Sequence, residues 1–371
     1  MRRGAFVVVC VLALCAASAV AAPPPIAAPA YVVRGGSNET ILAARAPDAR
    51  RAPASMTKLM TVLVALEHAR LDDVVTVSPQ AADVGESSVA LRPGERVSVR
   101  DLAIAALVPS ANDAATALAV HVGRGSLPRF VALMNAKAKA LGLTATHFEN
   151  PHGLDQSGHV SSARDVTTLL AAALRNPFIR TWSTRSTATI AGGRTLTSTD
   201  RLIGTLPLVG AKTGHTSDAG WSQVAAVERN GVRITASLLG AATEEQRNKE
   251  LASLLAWGLE QYRRVVVAGN HVYGRAEVGY GLAPVVLVAA RQVVRNVRVG
   301  RPLVEHVVAS KALRLPVTKG QRVGEVMVFS EGRLVARTPL VAASSIPAVG
   351  VAGKAEWYAR RTVHHLFGLV S

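Results

Sequence analysis

The sequence predicts an α+β protein, with a larger domain of mixed helices and strands followed by a small β-rich domain. Three observations predict this class. Apolar residues recur at helical spacing in several segments between residues 53 and 262, and a strand hairpin about Asn230-Gly231 lies among them. From Val265 to Val341 the chain is rich in Val, Gly and Arg and has no long helical pattern. The length of 371 residues favours about two domains.

The first segment has the three parts of a secretory signal peptide. Residues 1–3 (Met-Arg-Arg) are basic, residues 5–17 are predominantly apolar, and residues 19–21 (Ala-Val-Ala) are small. We expect cleavage after Ala21, which leaves a Pro/Ala linker at the start of the mature chain. A retained transmembrane anchor is the alternative, but the apolar run is short for spanning a bilayer.

The composition excludes several classes of function. Both cysteines, Cys10 and Cys15, lie in the signal segment, so the mature chain has no thiol for a disulfide, a nucleophile or a metal site. The chain carries 42 Lys and Arg residues against 25 Asp and Glu residues. In an exported protein this excess indicates anionic partners such as lipid head groups or wall polymers. Export, an aromatic content of 4% and scattered arginines argue against nucleic acid.

The elements of the first domain follow from the spacing of its apolar residues. Short strands over residues 31–33 and 40–42 flank a turn, and a helical pattern begins at Pro53. Strands over residues 221–227 and 232–239 are joined by the Asn-Gly turn. Further helices are predicted over residues 99–107, 111–122, 127–141, 162–174 and 243–262.

We therefore expect four segments along the chain. Residues 1–21 are the signal peptide, and residues 22–264 form the main domain. Residues 265–348 form the β-rich domain, and residues 349–371 form a helical tail.

The first motif with chemical potential is Ser55-Met56-Thr57-Lys58, at the start of a helical pattern. Ser and Lys three positions apart project on the same side of a helix, so the amine can reach the hydroxyl. A serine hydroxyl needs a base to become a nucleophile, and a lysine whose pKa is lowered by burial or by cations can be that base. The alternative for so short a pattern is a helix-capping Ser with a surface Lys.

The second motif contains Ser110 and Asn112. Pro109 breaks the preceding helix, so we expect both residues on a loop between helices. There they could relay a proton and hold a peptide amide. A helix cap is the alternative.

The third motif is Lys212-Thr213-Gly214, which we expect on an edge strand before the hairpin. A Lys and a Thr hydroxyl presented there could hold a substrate carboxylate. Gly214 would let a ligand backbone approach closely. An ordinary strand end is the alternative.

Together these motifs resemble the serine penicillin-recognising enzymes, and most closely the low-molecular-mass D-alanyl-D-alanine carboxypeptidases of peptidase family S11. They occur in the family's order, with gaps of about 55 and 100 residues. The resemblance covers residues 28–262 well and the β-rich domain more loosely. It is carried by residues 53–61 (Pro-Ala-Ser-Met-Thr-Lys-Leu-Met-Thr), 108–115 (Val-Pro-Ser-Ala-Asn-Asp-Ala-Ala), 150–155 (Asn-Pro-His-Gly-Leu-Asp), 212–216 (Lys-Thr-Gly-His-Thr) and 219–221 (Ala-Gly-Trp).

The resemblance implies the penicillin-binding, β-lactamase-like transpeptidase fold. This fold is an antiparallel sheet flanked by helices, with an inserted helical subdomain that carries Ser110 and Asn112. It also implies that Ser55 attacks the carbonyl between two D-alanines, with Lys58 as general base. The backbone N–H groups of Ser55 and His215 would form the oxyanion hole.

The same resemblance implies roles for the other motif residues. Ser110 would pass a proton to the leaving amine, and Asn112 would hold the substrate amide. Lys212 and Thr213 would bind the terminal carboxylate. Position 209 departs from many relatives, because Val209 stands where an Asp is expected. That change concerns the electrostatics of a loop more than catalysis.

The implied function is removal of the terminal D-alanine from peptidoglycan stem peptides, inhibited by β-lactams, without cofactor or metal. The expected partners are the peptidoglycan pentapeptide, β-lactams and an anionic membrane surface. The expected location is periplasmic or otherwise extracytoplasmic, with peripheral attachment to the cytoplasmic membrane.

Two rivals share the penicillin-recognising motifs. A class A β-lactamase needs a Glu-Pro-x-x-Asn pattern, but Glu149 is followed by Asn150 and Gly153 stands at the place of the Asn. A non-catalytic penicillin sensor usually carries a signalling transmembrane region, for which the mature chain shows no pattern.

Two further alternatives concern the chemistry of the cleft. A zinc hydrolase using His147, His152 and His159 lacks the spacing of a helical ligand pair. A transpeptidase with the same acyl-enzyme stays open, because the shape of the cleft decides whether water or an amine accepts the acyl group.

The tail is predicted to be a reversible membrane anchor over residues 354–370. A helical wheel separates an apolar half from a basic half, as in helices that lie in a membrane surface. Trp357 falls on the basic side and Glu356 on the apolar side, and docking on the β-rich domain is the alternative. The apolar half holds Tyr358, Val363, Leu366, Phe367, Leu369 and Val370, and the basic half holds Lys354, Arg360, Arg361, His364 and His365.

Overall fold

The computed structural model describes residues 6–8, 21–36, 39–269 and 271–367, with side chains for residues 21–36, 39–269 and 271–362. The chain divides into two compact units, residues 21–260 and residues 261–371, and the second also includes residues 1–20. Of residues 1–20 only the strand β1 (Phe6–Val8) is described. The expected signal peptide therefore lies mostly outside the described residues.

The first unit alternates helices with short and long strands. Its strands are β2 (Ala30–Gly35), β3 (Thr40–Arg45), β4 (Val74–Thr76), β5 (Arg96–Ser98), β6 (Thr187–Ile190), β7 (Arg194–Thr197), β8 (Leu208–Thr216), β9 (Gly220–Arg229) and β10 (Val232–Ala241). Its α-helices are α1 (Thr57–His68), α2 (Pro79–Ala82), α3 (Val99–Leu107), α4 (Asn112–Val122), α5 (Leu127–Ala140), α6 (Ala163–Ala173), α7 (Pro177–Trp182) and α8 (Glu244–Glu260).

Five strands form one antiparallel sheet in the order β3-β2-β10-β9-β8. Asn230 and Gly231 turn the chain between β9 and β10 with φ values of +54° and +76°, the left-handed conformation that an Asn-Gly hairpin turn requires. Helix α6 contacts Ser237 and α8 contacts Ile234, two residues of β10 that point to opposite faces of the sheet, so the helices cover opposite faces. At α8, Gly258 comes so close to Ile234 that a Cβ would lie 2.5 Å from its side chain. The predicted sheet flanked by helices is confirmed.

Helices α1, α3, α4 and α5 pack around a shared apolar core that includes Leu59, Leu102, Leu118 and Phe130. The predicted helix over residues 99–107 coincides with α3. Its start is capped by Ser98, whose hydroxyl accepts the N–H of Asp101 at 3.0 Å. This helical group carries the second motif.

The sequence patterns missed the shortest elements. The two-stranded ribbons β4–β5 and β6–β7, with strands of three and four residues, are too short to show a period. The predicted helix over residues 243–262 ends at Glu260, because residues 262–268 enter a strand instead.

The described residues of the second unit form strands and loops apart from the last helix, as predicted for residues 265–348. A six-stranded antiparallel sheet has the order β1-β15-β16-β17-β13-β12, and β11 pairs with β14. Val326, Val328 and Leu340 lie in its apolar core. The elements are β11 (Tyr262–Ala268), β12 (Gly274–Ala276), β13 (Val285–Ala289), β14 (Val293–Arg298), β15 (Leu303–Ala309), β16 (Arg322–Ser330), β17 (Arg333–Ala342) and the helix α9 (Val351–Phe367).

Within the described ranges, none of the helices combines the length and the apolar character needed to cross a bilayer.

Candidate active site

The first motif lies at the entrance to α1. Ser55 is the middle residue of a one-turn 3-10 helix, Ala54–Met56, which runs directly into α1. One turn later the Lys58 amine donates a hydrogen bond to Ser55 Oγ at 2.7 Å. Ser55 is partly exposed, whereas Lys58 is fully buried. The expected pairing of hydroxyl and amine is present.

Burial lowers the pKa of Lys58 well below its ordinary value, and the nearby charge of Lys212 lowers it further, while Glu86 and Asp113 oppose the shift. The amine also donates to the His152 carbonyl at 2.7 Å. A buried amine with a lowered pKa can hold the neutral form that accepts a proton from Ser55.

The second motif approaches from the helical group. Ser110 lies between α3 and α4 with φ at +68°, a strained value for a side chain larger than Gly. Its hydroxyl accepts a hydrogen bond from the Lys212 amine at 2.8 Å. Burial lowers the pKa of Lys212 to about 7; the charge of Asp200 opposes this shift, and the charge of Arg247 adds to it.

Asn112 is the first residue of α4 and is 2% exposed. Its side-chain amide donates to the Gly85 carbonyl at 2.9 Å, and its backbone N–H donates to the Ser87 carbonyl at 2.7 Å. The neighbouring Asp113 carboxylate accepts the Ser88 hydroxyl at 2.6 Å. The second motif thus also holds the loop that borders the cleft.

The third motif lies on β8, the edge strand of the sheet, as expected. The hydroxyls of Thr213 and Thr199 share a hydrogen bond of 2.7 Å. A Cβ on Gly214 would lie 2.9 Å from the Ala54 Cβ and 3.1 Å from the Ser55 nitrogen. The absence of a side chain at Gly214 therefore allows β8 to approach the segment that carries Ser55.

The three motifs meet at a cavity of about 380 Å³. His215 lies at its border with an exposed side chain that stacks on Trp221, with ring centroids 4.1 Å apart. The cavity is lined by Ser55, Ser87, Ser110, Ser198, Thr199, Arg201, Thr213, Gly214, His215, Trp221, Glu244 and Arg247.

Arg247 is a cleft residue that the sequence did not reveal. It is 1% exposed, and its guanidinium lies 5.4 Å from the centre of the Trp221 ring. It also donates to Glu244 Oε1 at 3.1 Å. It lies in the first turn of α8, outside every motif, so no local pattern marks it. Val209, which stands on β8 where many relatives are expected to have an Asp, packs against the apolar core.

Two of the three histidines considered as zinc ligands bond within the protein: His159 Nε2 bonds Thr57 Oγ1, and His152 Nδ1 accepts the Leu154 N–H at 3.2 Å. Burial lowers the pKa of His152 to about 3 and that of His159 to about 4. His147 Nε2 pairs with Glu149 Oε1 at 3.1 Å. Among the residues that the structure describes, no three His, Cys, Asp or Glu side chains are grouped to hold a metal ion.

Both parts of the chain match known families. Residues 17–243 match the peptidase S11 family, described as D-alanyl-D-alanine carboxypeptidase. Residues 261–348 match the family described as penicillin-binding protein 5, C-terminal domain.

Curated relatives match over most of the chain. The D-alanyl-D-alanine carboxypeptidase DacD of Salmonella typhimurium is 34% identical in an alignment 345 positions long, and the match covers 87% of this chain and 87% of DacD. The D-alanyl-D-alanine carboxypeptidase DacA of Escherichia coli (strain K12) is 32% identical in an alignment 369 positions long, and the match covers 93% of this chain and 90% of DacA.

Solved structures have the same architecture. Penicillin binding protein 5 from Haemophilus influenzae is 30% identical with a TM-score of 0.64, and the match covers 88% of this chain and 100% of that one. The Streptomyces K15 DD-transpeptidase is 30% identical with a TM-score of 0.61 and covers 65% of this chain and 100% of its own.

Proposed function

The chain belongs to the peptidase S11 family of D-alanyl-D-alanine carboxypeptidases, and on this basis we propose that Ser55 is the residue acylated by the substrate. The chain is a serine hydrolase that removes the terminal D-alanine of peptidoglycan stem peptides, with the penicillin-binding fold of its relatives. The observation that carries the assignment of Ser55 is the 2.7 Å hydrogen bond from the buried Lys58 amine to Ser55 Oγ.

In the proposed acylation, Lys58 takes the hydroxyl proton as Ser55 attacks the carbonyl between the two D-alanines. The new Ser55–carbon bond forms as the carbonyl π electrons move to oxygen, and the backbone N–H groups of Ser55 and His215 stabilise that oxyanion. The oxyanion then re-forms the carbonyl, the C–N bond to the terminal D-alanine breaks, and the leaving amine takes a proton through Ser110. Water then releases the shortened peptide and regenerates Ser55.

The proposed carboxylate site is the end of the cavity at β8. Lys212 and Thr213 bind the terminal carboxylate there, and Asn112 holds the peptide amide. An anion bound beside Lys212 raises the pKa of the amine again, because the opposite charge favours the protonated form. Substrate binding therefore favours the protonated form of Lys212, whose pKa burial lowers to about 7.

The class A β-lactamase reading is not favoured. Glu149, the carboxylate nearest to the required position, pairs with His147 and is not among the residues lining the cavity. We propose that water accepts the acyl group. Because the chain is also similar to the K15 DD-transpeptidase, transfer of the acyl group to an amine should be measured in the same assay.

We also propose that the enzyme is exported and held at the cytoplasmic membrane by its tail. Support comes from α9: Trp357, on its basic side, packs against Tyr280 with ring centroids 5.5 Å apart, whereas Tyr358, on its apolar side, is 58% exposed. A helix docked through Trp357 keeps its apolar side available to lipid. The remaining apolar members, Val363, Leu366, Phe367, Leu369 and Val370, lie outside the described side chains.

The test of the acyl-enzyme is the Ser55→Ala variant. We expect it to take up no labelled penicillin by intact-mass spectrometry and to release no D-alanine from a D-Ala-D-Ala peptide, with an unchanged circular dichroism spectrum. Ser253→Ala, on α8 and outside the cavity lining, is the control and should react normally. A penicillin adduct on any other residue of Ser55→Ala would contradict the assignment.

A further inference from the structure

The segment from Glu149 to His159 is not used by the reaction described above, although it lies against the catalytic pair. The His152 carbonyl accepts one hydrogen bond of the Lys58 amine at 2.7 Å. The Pro151 carbonyl accepts the hydroxyl of Thr61, one turn further along α1, at 2.5 Å. This segment therefore helps to set where the Lys58 amine points.

At Gly153 the segment lies so close to the residues around Ser55 that no side chain would fit between them. Gly153 has φ at +93°, and a Cβ there would lie 2.0 Å from the Ala54 carbonyl oxygen. Its N–H donates to Asn150 Oδ1 at 2.7 Å. A hydrogen bond within the loop thus stabilises its conformation. The position of the loop depends on its hydrogen bonds to α1.

His159 makes that tie. Its Nδ1 accepts the Glu149 N–H at 2.9 Å, so the proton of the neutral ring is on Nε2. Nε2 lies 2.8 Å from Thr57 Oγ1 and therefore donates to it. His159 is 3% exposed, and Thr57 is fully buried. In the sequence, Thr57 lies between Ser55 and Lys58. One side chain thus joins both ends of the segment to the catalytic motif.

We propose that His159 is a positioning residue for acylation, which holds the His152 carbonyl and the Lys58 amine in place through its hydrogen bond to Thr57. The proposal rests on the proposed function, because it requires Ser55 and Lys58 to be the reacting pair. The neutral ring suits this task, since burial keeps the pKa of His159 at about 4 and both nitrogens are already bonded.

Two substitutions separate the two nitrogens of the ring. His159→Gln places an amide N–H near the position of Nε2 and keeps the donor to Thr57. His159→Asn keeps only an acceptor near Nδ1 for the Glu149 N–H. We expect acylation by a labelled penicillin to slow by about 10²-fold in His159→Asn, the loss that a displacement of about 1 Å causes in an active site. His159→Gln should stay within a few-fold of the wild type.

Thr57→Val removes the other end of the same bond and should slow acylation as much as His159→Asn does. The acylation rate of the double variant His159→Asn/Thr57→Val should be no lower than that of either single variant, because both substitutions remove the same hydrogen bond. Thr57→Ser should restore the wild-type rate.

The acid limb of the acylation pH profile is the readout that a merely structural role would not move. The charged and titratable groups facing Lys58 are Lys212, Glu86, Asp113 and His152. A displaced loop admits water to the amine and weakens the burial that lowers its pKa, so the limb should move to higher pH in His159→Asn and Thr57→Val but not in His159→Gln.

Thr167→Val is the matched control. It removes a buried threonine hydroxyl of the same unit, which donates to Ser237 at 2.9 Å and is not in the cavity lining. It should lower the melting temperature and leave the acylation rate and pH profile unchanged.

The proposal is overturned if His159→Asn acylates at the wild-type rate, if the losses of the double variant multiply, or if Thr167→Val slows acylation as strongly. The mass spectrum keeps this result apart from the proposed function. An adduct at Ser55 with an unchanged rate refutes only the role of His159, whereas an adduct elsewhere refutes the assignment of Ser55.

Discussion

At the scale of single residues, two buried lysines bond the serines that line the cleft. Lys58 donates to Ser55, and Lys212 donates to Ser110. Burial lowers the pKa of both amines, and the charge of Lys212 lowers that of Lys58 further. The burial that would make Lys58 a base also lowers folding stability, because the unfolded chain solvates both charges.

The Lys212 amine makes stability depend on pH. Its folded pKa of about 7 lies below the unfolded value of 10.5, so between these values the unfolded state binds more protons. The free energy of unfolding therefore rises with pH across this window, by up to about 1.4 kcal/mol per pH unit for this group. Denaturant titrations from pH 7 to 10 should show a steeper rise in the wild type than in Lys212→Met, which keeps only the contribution of Lys58. Parallel slopes would contradict it.

Gly153 tests how tightly the loop and the nucleophile segment are packed. Gly153→Ala should destabilise the fold and abolish acylation, because its Cβ would overlap the Ala54 carbonyl oxygen at 2.0 Å. Gly94→Ala is the control, since Gly94 has φ at +81° with nothing within 4 Å. It should cost only the strain of a positive φ, about 1 kcal/mol. Equal melting temperatures for the two variants would refute the close approach.

At the scale of elements, β8 brings the third motif to the cleft. Lys212 reaches Ser110, and Thr213 bonds Thr199, and both Ser110 and Thr199 line the same cavity. Gly214 lets the strand pass the nucleophile. One edge strand thus carries the charge, the hydroxyl and the clearance that the site needs.

Thr213→Val should impair substrates with a free terminal carboxylate more than their amidated analogues. A hydroxyl donor to a charged acceptor in a cleft contributes about 1.5–3 kcal/mol, so kcat/KM should fall about 10- to 100-fold for the free acid and much less for the amidated analogue. Thr199→Val, which removes the hydroxyl bonded to Thr213, should have a smaller effect of the same sign. Equal losses on both substrates would show that β8 does not read the carboxylate.

At the scale of the whole molecule, positive charge is concentrated in the second part of the chain. Residues 261–371 carry 16 of the 42 Lys and Arg residues but only five of the 25 Asp and Glu residues. The catalytic unit is nearly balanced by comparison. This distribution supports the proposal that the β-rich unit and its tail, more than the catalytic unit, are attracted to anionic surfaces.

Truncation before residue 352 should release the enzyme from membranes and leave its carboxypeptidase activity intact. Vesicle sedimentation should show the full-length mature protein bound to anionic lipids at low salt. High salt should weaken binding without abolishing it, because the apolar half of the helix is not screened. If the full-length protein fails to sediment at low salt, the anchor is wrong.

The sequence by itself determined what depends on short separations along the chain. Ser55 and Lys58 meet because three residues span about one helical turn, and α3 was located because its apolar residues follow the helical period. The hairpin was located by Asn230-Gly231 for the same local reason. The family's motif order then placed the remaining groups near one site.

Tertiary structure alone decided which distant residues touch and how far they are buried. The bond from Lys212 to Ser110 spans 102 positions, and that from His159 to Thr57 also spans 102. Arg247 has no local signal, because its place under Trp221 depends on how α8 packs on the sheet. The lowered pKa of Lys58 likewise depends on burial by surrounding elements and on the charge of the distant Lys212. Spacing along a chain sets local geometry, whereas burial and the dielectric around a charge arise only when separate elements close over it.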